Sequence, residues 1–334
     1  MWRAEMDRVT KLTAGVVLLA ALIVPPLYAD ETGLEAAKHS FAKGNYKEAI
    51  SLLQRAAETD KKNGELYLWL TRSYLELDAY DDAVKSGEQA IAINPQNSEY
   101  HRWLGEALGA KADHASMFSA YSLAKRTQKE FEAASQLDEH NYDAIQDLIE
   151  YDCTAPGVAG GGEEKAQPWI QKLMAMDAAE GHYATGICRS QKKDYAASDA
   201  EFAKSLESKP KAANRIFDIA DYFGQRKQPA KVLQALALGE QIAPRDPRNK
   251  FYRGTAYVEG NEKPAEAERL LKEYLQEAPM NSNFPRPWAA HLMLGRLKES
   301  QKNTSGAREE YEAALKLNPK YKQAQEALKQ LGGK

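Results

Sequence analysis

Histidine, serine and cysteine are the residues that would first indicate a reactive site in this sequence. The six histidines are dispersed, and no two stand at the spacing by which one face of a helix holds a metal ion. No Gly-x-Ser-x-Gly segment is present to expose a nucleophilic serine. We therefore expect no catalytic residue, no metal site and no cofactor, and the sequence predicts that the protein is not an enzyme.

Two cysteines, Cys153 and Cys188, could form a disulfide in an oxidising compartment. They fall at nearly the same level of two neighbouring predicted helices. Neighbouring helices pack about 8–10 Å apart, whereas a disulfide needs Cα atoms within about 7 Å of each other. The spacing therefore predicts that the two thiols stay apart, with a disulfide as the alternative if the insertion between them distorts the packing.

A glycine-rich segment, residues 155–164, could suggest a phosphate-binding loop. Such a loop ends in Gly-Lys-Ser/Thr so that a lysine meets the phosphates, whereas this segment ends in Glu163 and Glu164. We therefore expect no bound nucleotide. The segment is either a passive turn or a loop that contacts a partner, and in the second case the contact residues are Pro156, Gly157, Gly160, Gly161 and Gly162.

Composition limits the remaining classes of function. The chain has 334 residues, with 45 Lys and Arg against 48 Asp and Glu and a formal net charge of -3. Because the basic residues are scattered among equally frequent acids, no basic field exists to hold a polyanion. We therefore expect no nucleic acid partner.

The N-terminus has the pattern of an export signal. Arg3, Arg8 and Lys11 precede an uncharged run from Leu12 to Ala29 whose apolar centre is too short to cross a membrane. The pattern predicts that residues 1–29 are a signal peptide cleaved after Ala29, which leaves no membrane span and a periplasmic or secreted protein. The alternative is that the segment is retained as an anchor.

The elements that position all of these residues repeat along the chain. Residues 64–97 and residues 288–321 are both 34 residues long and align position by position. The matching residues are a leucine, two alanines and a final Asn-Pro: Leu70 and Leu294, Ala83 and Ala307, Ala90 and Ala314, Asn94-Pro95 and Asn318-Pro319.

This pattern resembles the tetratricopeptide repeat, and in particular exported bacterial proteins built from it. The resemblance implies an all-α, right-handed superhelical solenoid of about eight helical hairpins, in which small residues let paired helices approach. Two histidines at equivalent positions, His182 and His291, are predicted to pack in the core or at hairpin edges. The units are residues 30–63, 64–97, 98–141, 142–178, 179–212, 213–246, 247–281 and 288–321, followed by a capping helix at 322–331.

In this family the first helix of each hairpin lines a concave groove. Position five of the last four units is apolar, which predicts a stripe formed by Tyr183, Phe217, Phe251 and Leu292. Acidic residues outnumber basic ones around it, and Asp221, Arg248 and Arg296 are the candidate polar contacts to a peptide or partner protein. The alternative is that the large residues pack within the stack.

Units three and four depart from the repeat length. Unit three has about ten extra residues around His114 to Leu123, and unit four carries the glycine-rich segment. Both insertions fall inside a hairpin, so they should lie side by side on one edge. The sequence predicts a non-catalytic interaction scaffold of the cell envelope; the alternative is an accessory subunit of envelope or polysaccharide assembly that contacts a glycan or an enzyme through the insertions.

Overall fold

The computed structural model describes residues 33–332, and the predicted signal peptide, residues 1–29, lies outside them. Within the described residues, seventeen α-helices follow one another, with a 3-10 helix at Gly157–Ala159. Their bounds are α1 Gly33–Ala42, α2 Tyr46–Thr59, α3 Gly64–Leu75, α4 Tyr80–Ile93, α5 Ser98–Asp113, α6 Met117–Leu137, α7 Tyr142–Thr154, α8 Glu163–Met176, α9 Ala178–Gln191, α10 Tyr195–Glu207, α11 Ala213–Gln225, α12 Pro229–Ile242, α13 Arg248–Glu259, α14 Pro264–Glu277, α15 Pro287–Ser300, α16 Thr304–Leu317 and α17 Lys322–Gly332.

Consecutive helices pair into hairpins, and each hairpin packs on the next. The first helices of neighbouring hairpins also contact each other, as α7 does with α9 and α3 with α5, while α17 packs on α16 at the end of the stack. The predicted all-α architecture of stacked hairpins is confirmed. No helix of residues 33–332 is both long and apolar enough to cross a bilayer.

Within hairpins, close helix approach depends on a glycine facing an aromatic ring. A Cβ atom on Gly105 would lie 2.5 Å from Phe131, and one on Gly186 would lie 2.7 Å from Phe202. Ala314 is also fully buried. Since interiors are close-packed, a larger side chain at such a position forces the helices apart.

A histidine joins the two helices of three hairpins from their edge. His182 Nδ1 lies 2.7 Å from the carboxylate of Glu201, and His291 Nδ1 lies 2.7 Å from that of Glu310. His101 makes the same contact in the hairpin of α5 and α6. The prediction that His182 and His291 pack at hairpin edges is confirmed.

Cys153 and Cys188 form a disulfide, so the expectation that they stay apart is wrong. Their Cα atoms are 5.3 Å apart, one in the last turn of α7 and the other in α9. The reason is geometric: a helix has a Cα radius of about 2.3 Å, so residues on the facing sides of two helices approach much more closely than the helix axes do. The bond therefore needs no distortion by the insertion.

A loop between α14 and α15, residues 278–286, reaches back to the first two hairpins; we call it the closing loop. The hydroxyl of Tyr46 donates a hydrogen bond to the carbonyl of Met280. The carboxylate of Glu76 accepts one from the backbone N–H of Ser282 at 2.8 Å and pairs with Arg286 at 2.9 Å. The two ends of the stack are therefore joined by polar contacts that the repeat pattern did not predict.

Enlarging a small residue of a hairpin interface should destabilise the fold. We expect Ala314→Leu to lower the free energy of unfolding by about 1–3 kcal/mol, because the added atoms have no space between α16 and its neighbours. Denaturant unfolding followed by circular dichroism measures this change. Ala237→Leu, at an exposed position of α12, is the control and should have little effect; equal stability of the two variants would contradict the interface register.

Removing the disulfide should also destabilise the protein. The bond closes a loop with a sequence separation of 35 residues. A loop of this length corresponds to about 3–4 kcal/mol of lost stability when Cys153→Ser and Cys188→Ser are combined. Reducing agent should have the same effect on the wild-type protein and none on the double variant. Two free thiols in the unreduced wild-type protein would disprove the bond.

Candidate protein-binding surfaces

The four residues predicted to form an apolar stripe are buried in the stack. Phe217 is 1% exposed and Leu292 is 3% exposed, while Phe251 and Tyr183 are 6% and 8% exposed. The next hairpin covers Phe217, whose ring stacks on that of Tyr252 with centroids 6.2 Å apart, and Leu292 packs among residues of α16 and α17. These side chains are core residues, and the expected open apolar stripe is absent from the described surface.

The polar residues predicted beside the stripe have partners within the protein. Arg248 is buried over the ring of Phe217 and pairs with Asp246 at 2.7 Å. Asp221 accepts hydrogen bonds from Tyr252 and Gln225. Arg296 pairs with Glu259 at 2.7 Å. Asp221 and Arg248 thus lie in the same part of the stack. Their contacts join consecutive hairpins.

The inner wall formed by the first helices carries a row of carboxylates. Asp147 pairs with Arg102 at 2.6 Å, whereas Glu106 and Glu150 form no salt bridge in the described residues. Burial, followed by the nearby Asp147 carboxylate, raises the pKa of Glu106 to about 8 and also raises the pKa of Glu150. Burial likewise raises the pKa of Asp218 to about 6. A cationic group bound at this wall would stabilise the ionised form of these carboxylates.

The two insertions lie side by side, as predicted, and we call the surface that they form the insertion edge. Tyr151 places its hydroxyl 2.7 Å from the carbonyl oxygens of both Ala124, on α6, and Ala159, in the glycine-rich segment. Gln128 of α6 donates a hydrogen bond to the carbonyl of Gly160 at 2.9 Å. These contacts fix the glycine-rich segment against the lengthened α6.

Large apolar side chains are exposed on the insertion edge. Phe118 is 91% exposed, Met117 is 85% exposed and Val158 is 75% exposed, while Tyr121 is 46% exposed. Met117, Tyr121 and Val158 line a cavity of about 740 Å³, whose wall also includes Glu106, Asp147 and Glu150. The insertion edge therefore combines an apolar rim with an acidic interior.

The glycines of the glycine-rich segment are required by its backbone conformation. Gly160 has a φ of +103° and Gly162 a φ of +153°, which favour glycine, and a Cβ on Gly161 would collide with the carbonyl of Ala155. Pro156 and Gly157 are exposed and can be touched by a partner. Of the five predicted contact residues, these two are the ones at the surface.

Comparison with known proteins identifies the repeat. Residues 40–108 and residues 253–322 each match a model described as the tetratricopeptide repeat. The chain contains tetratricopeptide repeats. The two matched segments lie at opposite ends of the described stack, and the insertion edge lies outside both, in the region between them.

The solved structures to which this chain is similar share little sequence with it. A monomeric mutant of IFIT1 with Gppp-AAAA has a TM-score of 0.50 at 14% identity, with 88% of this chain and 69% of that chain covered. A thermophilic protein of Thermus thermophilus has a TM-score of 0.45 at 20% identity, with 57% and 96% covered. A tetratricopeptide repeat protein from Parabacteroides merdae has a TM-score of 0.40 at 13% identity, with 90% of this chain and 97% of that chain covered. No curated protein matches significantly.

Replacing Glu106 should change how stability depends on pH. Because the pKa of Glu106 is raised, the folded state holds this proton more tightly than the unfolded chain does. The wild-type protein therefore loses stability as the pH rises through about 4.5 to about 8. Glu106→Gln cannot ionise, so its free energy of unfolding relative to wild type should be higher at about pH 9 than at about pH 5, by about 1 kcal/mol or more.

Denaturant unfolding of both proteins at the two pH values measures this difference. The exposed Glu58, on α2, provides a matched control in Glu58→Gln. A Glu106→Gln variant whose stability relative to wild type is the same at both pH values would contradict the proposed carboxylate environment.

Proposed function

We propose that this protein is a non-catalytic interaction scaffold of the bacterial cell envelope that binds a partner protein through its insertion edge. The observation that carries the proposal is the concentration of exposed apolar side chains there, with Met117, Phe118 and Val158 each at least 75% exposed. Exposed clusters of large apolar residues mark interaction sites in soluble proteins. The family supports this interpretation, because tetratricopeptide repeats typically mediate contacts between proteins.

The buried stripe argues against the inner groove as the main apolar contact. Tyr183, Phe217, Phe251 and Leu292 are already packed, so a partner would gain no apolar burial from them. On the insertion edge, Phe118 and Met117 lose nothing within the protein when a partner covers them. Each large side chain gains about 1.5–3 kcal/mol on full burial, and such residues are typical binding hot spots.

The chemistry of the edge indicates what kind of partner segment fits. The rim accepts apolar side chains, and the cavity beside it is about 740 Å³, enough for one or two of them. The carboxylates of Glu106 and Glu150 on its inner wall would be stabilised by a positive charge. We therefore propose a segment of the partner that carries large apolar residues together with Lys or Arg.

Two features support the envelope as the location. The first is the export pattern predicted for residues 1–29. The second is the disulfide between Cys153 and Cys188, since disulfides persist in oxidising compartments such as the periplasm. The two features are independent, because one is a property of the N-terminal segment and the other of the folded stack.

Photo-crosslinking in cells of the source bacterium tests the proposal. A photoreactive phenylalanine analogue at position 118 should capture a protein in the envelope fraction, and adding Val158→Asp should lower the yield about tenfold, because it places a charge in an apolar contact. The matched control carries the analogue at Ile242, which is also exposed but lies on α12. We expect no capture from that position.

Three outcomes would contradict the proposal. Equal capture from positions 118 and 242 would show that the insertion edge has no special role. Capture of cytoplasmic proteins alone would disprove the envelope location. Retention of the protein on envelope polysaccharide beads, lost in Phe118→Asp, would favour the alternative in which the edge contacts a glycan.

A further inference from the structure

A second cavity, of about 590 Å³, lies between the first hairpins and the closing loop. The first hairpins contribute Phe41, Arg72 and Trp103 to its walls, and the other end of the stack contributes Arg286 and Trp288. Its volume is within the range of about 300–1,000 Å³ typical of small-molecule sites. It shares Glu106 and Ala110 with the cavity of the insertion edge, but none of the exposed apolar residues of that edge lines it.

Arg72 is held between two tryptophans without a carboxylate. Its guanidinium lies 4.0 Å from the ring centre of Trp69 and 4.6 Å from that of Trp103. Its Nε is buried and has no hydrogen-bond partner, and no carboxylate of the described residues pairs with it. The other arginines of residues 33–332 either form a salt bridge or are exposed, as Arg245 is.

Arg72 is half-buried, so water hydrates its guanidinium only in part. Burial lowers the pKa of Arg72 and the nearby charge of Arg102 lowers it further, while the carboxylates of Glu99 and Glu76 partly offset this; an arginine stays protonated in proteins. A buried charge is normally compensated by a partner of opposite sign. The stacking on Trp69 and Trp103 orients the guanidinium but gives it no carboxylate in salt-bridge contact.

The neighbouring acids are engaged elsewhere or make no direct contact with Arg72. Glu99 acts on Arg72 electrostatically, but its carboxylate accepts hydrogen bonds from Trp103 and Asn141. Glu76 is engaged by Arg286 and by the backbone N–H of Ser282. Asp78, at the edge of the cavity, is exposed and accepts a hydrogen bond from Tyr80. Glu106 also lines the cavity, but it forms no salt bridge with Arg72. Among the described residues, no carboxylate is therefore in salt-bridge contact with Arg72, which leaves its guanidinium available to an anion in the cavity.

We propose that this cavity binds a small carboxylic acid with an aromatic or other flat apolar body. Its carboxylate would accept charge-assisted hydrogen bonds from Arg72, and its body would lie against Trp103 and Trp288. The closing loop favours a small ligand over an extended chain, because its contacts with Tyr46 and Glu76 bridge the groove at this cavity.

Calorimetric titration of the full protein with phenylacetate and phenylacetamide tests this site. The two probes share a ring and differ in charge, so the acid should bind at least about tenfold more tightly, the discrimination expected of a charge-assisted hydrogen bond. Quenching of tryptophan fluorescence by the acid should accompany binding. This comparison needs no variant and holds even if substitutions disturb folding.

Variants then assign the binding to Arg72. Arg72→Gln should weaken phenylacetate binding at least about tenfold and remove the preference over phenylacetamide. The matched control Arg245→Gln, at an exposed arginine, should bind as wild type does. Circular dichroism verifies that both variants are folded.

Several results would overturn the proposal. They are equal binding of the two probes, no binding of phenylacetate at about 10 mM, or unchanged binding by folded Arg72→Gln. Binding of inorganic phosphate without phenylacetate would identify a general anion site instead. Tighter binding of a peptide that ends in phenylalanine than of phenylacetate would show that the site takes the C-terminus of a protein.

Discussion

The close approach of two helices at a residue with almost no side chain is the contact on which this structure depends. Gly105 against Phe131 and Gly186 against Phe202 show it most clearly, since no Cβ atom fits between helix and ring. A hairpin closed in this way still exposes an apolar face that it cannot bury alone. Each hairpin must therefore pack on the next, and the whole stack follows from that requirement.

Stacking also decides which surfaces remain for binding. The residues of the predicted apolar stripe are packed within the stack, as Phe217 is against Tyr252 of the following hairpin. Salt bridges such as Arg102 with Asp147 and Arg215 with Glu180 join consecutive first helices along the inner wall. In the regular units most of these side chains contact one another, and the most exposed large apolar side chains of the described residues lie at the insertion edge.

The closing loop adds long-range contacts on the inner side of the stack. Its contacts with Tyr46 and Glu76 connect residues more than 200 positions apart in the chain. Local stacking alone would leave Arg72 on an open wall, but the loop encloses it in a cavity with Trp103 and Trp288. A charge that would be solvated on an open surface becomes a specific recognition group in an enclosed one.

The sequence by itself determined the hairpins, their small-residue contacts and the position of both insertions. These features depend on residues that lie within one repeat unit, as Ala314 does. The period of 34 residues makes it possible to recognise them in the sequence. The neighbouring placement of the insertions also followed from the repeat, because equivalent turns stack on one edge. The same pattern placed His182 and His291 at hairpin edges.

Tertiary structure alone decided what each side chain faces. Whether Phe217 lines a groove or the core depends on how closely the next hairpin covers it, and whether Cys153 meets Cys188 depends on the facing sides of two helices. The closing loop had one signal in the sequence, since residues 282–287 belong to no repeat unit. Its contacts with the first hairpins nevertheless depend on the accumulated curvature of the stack, a sum of small rotations that no local pattern specifies.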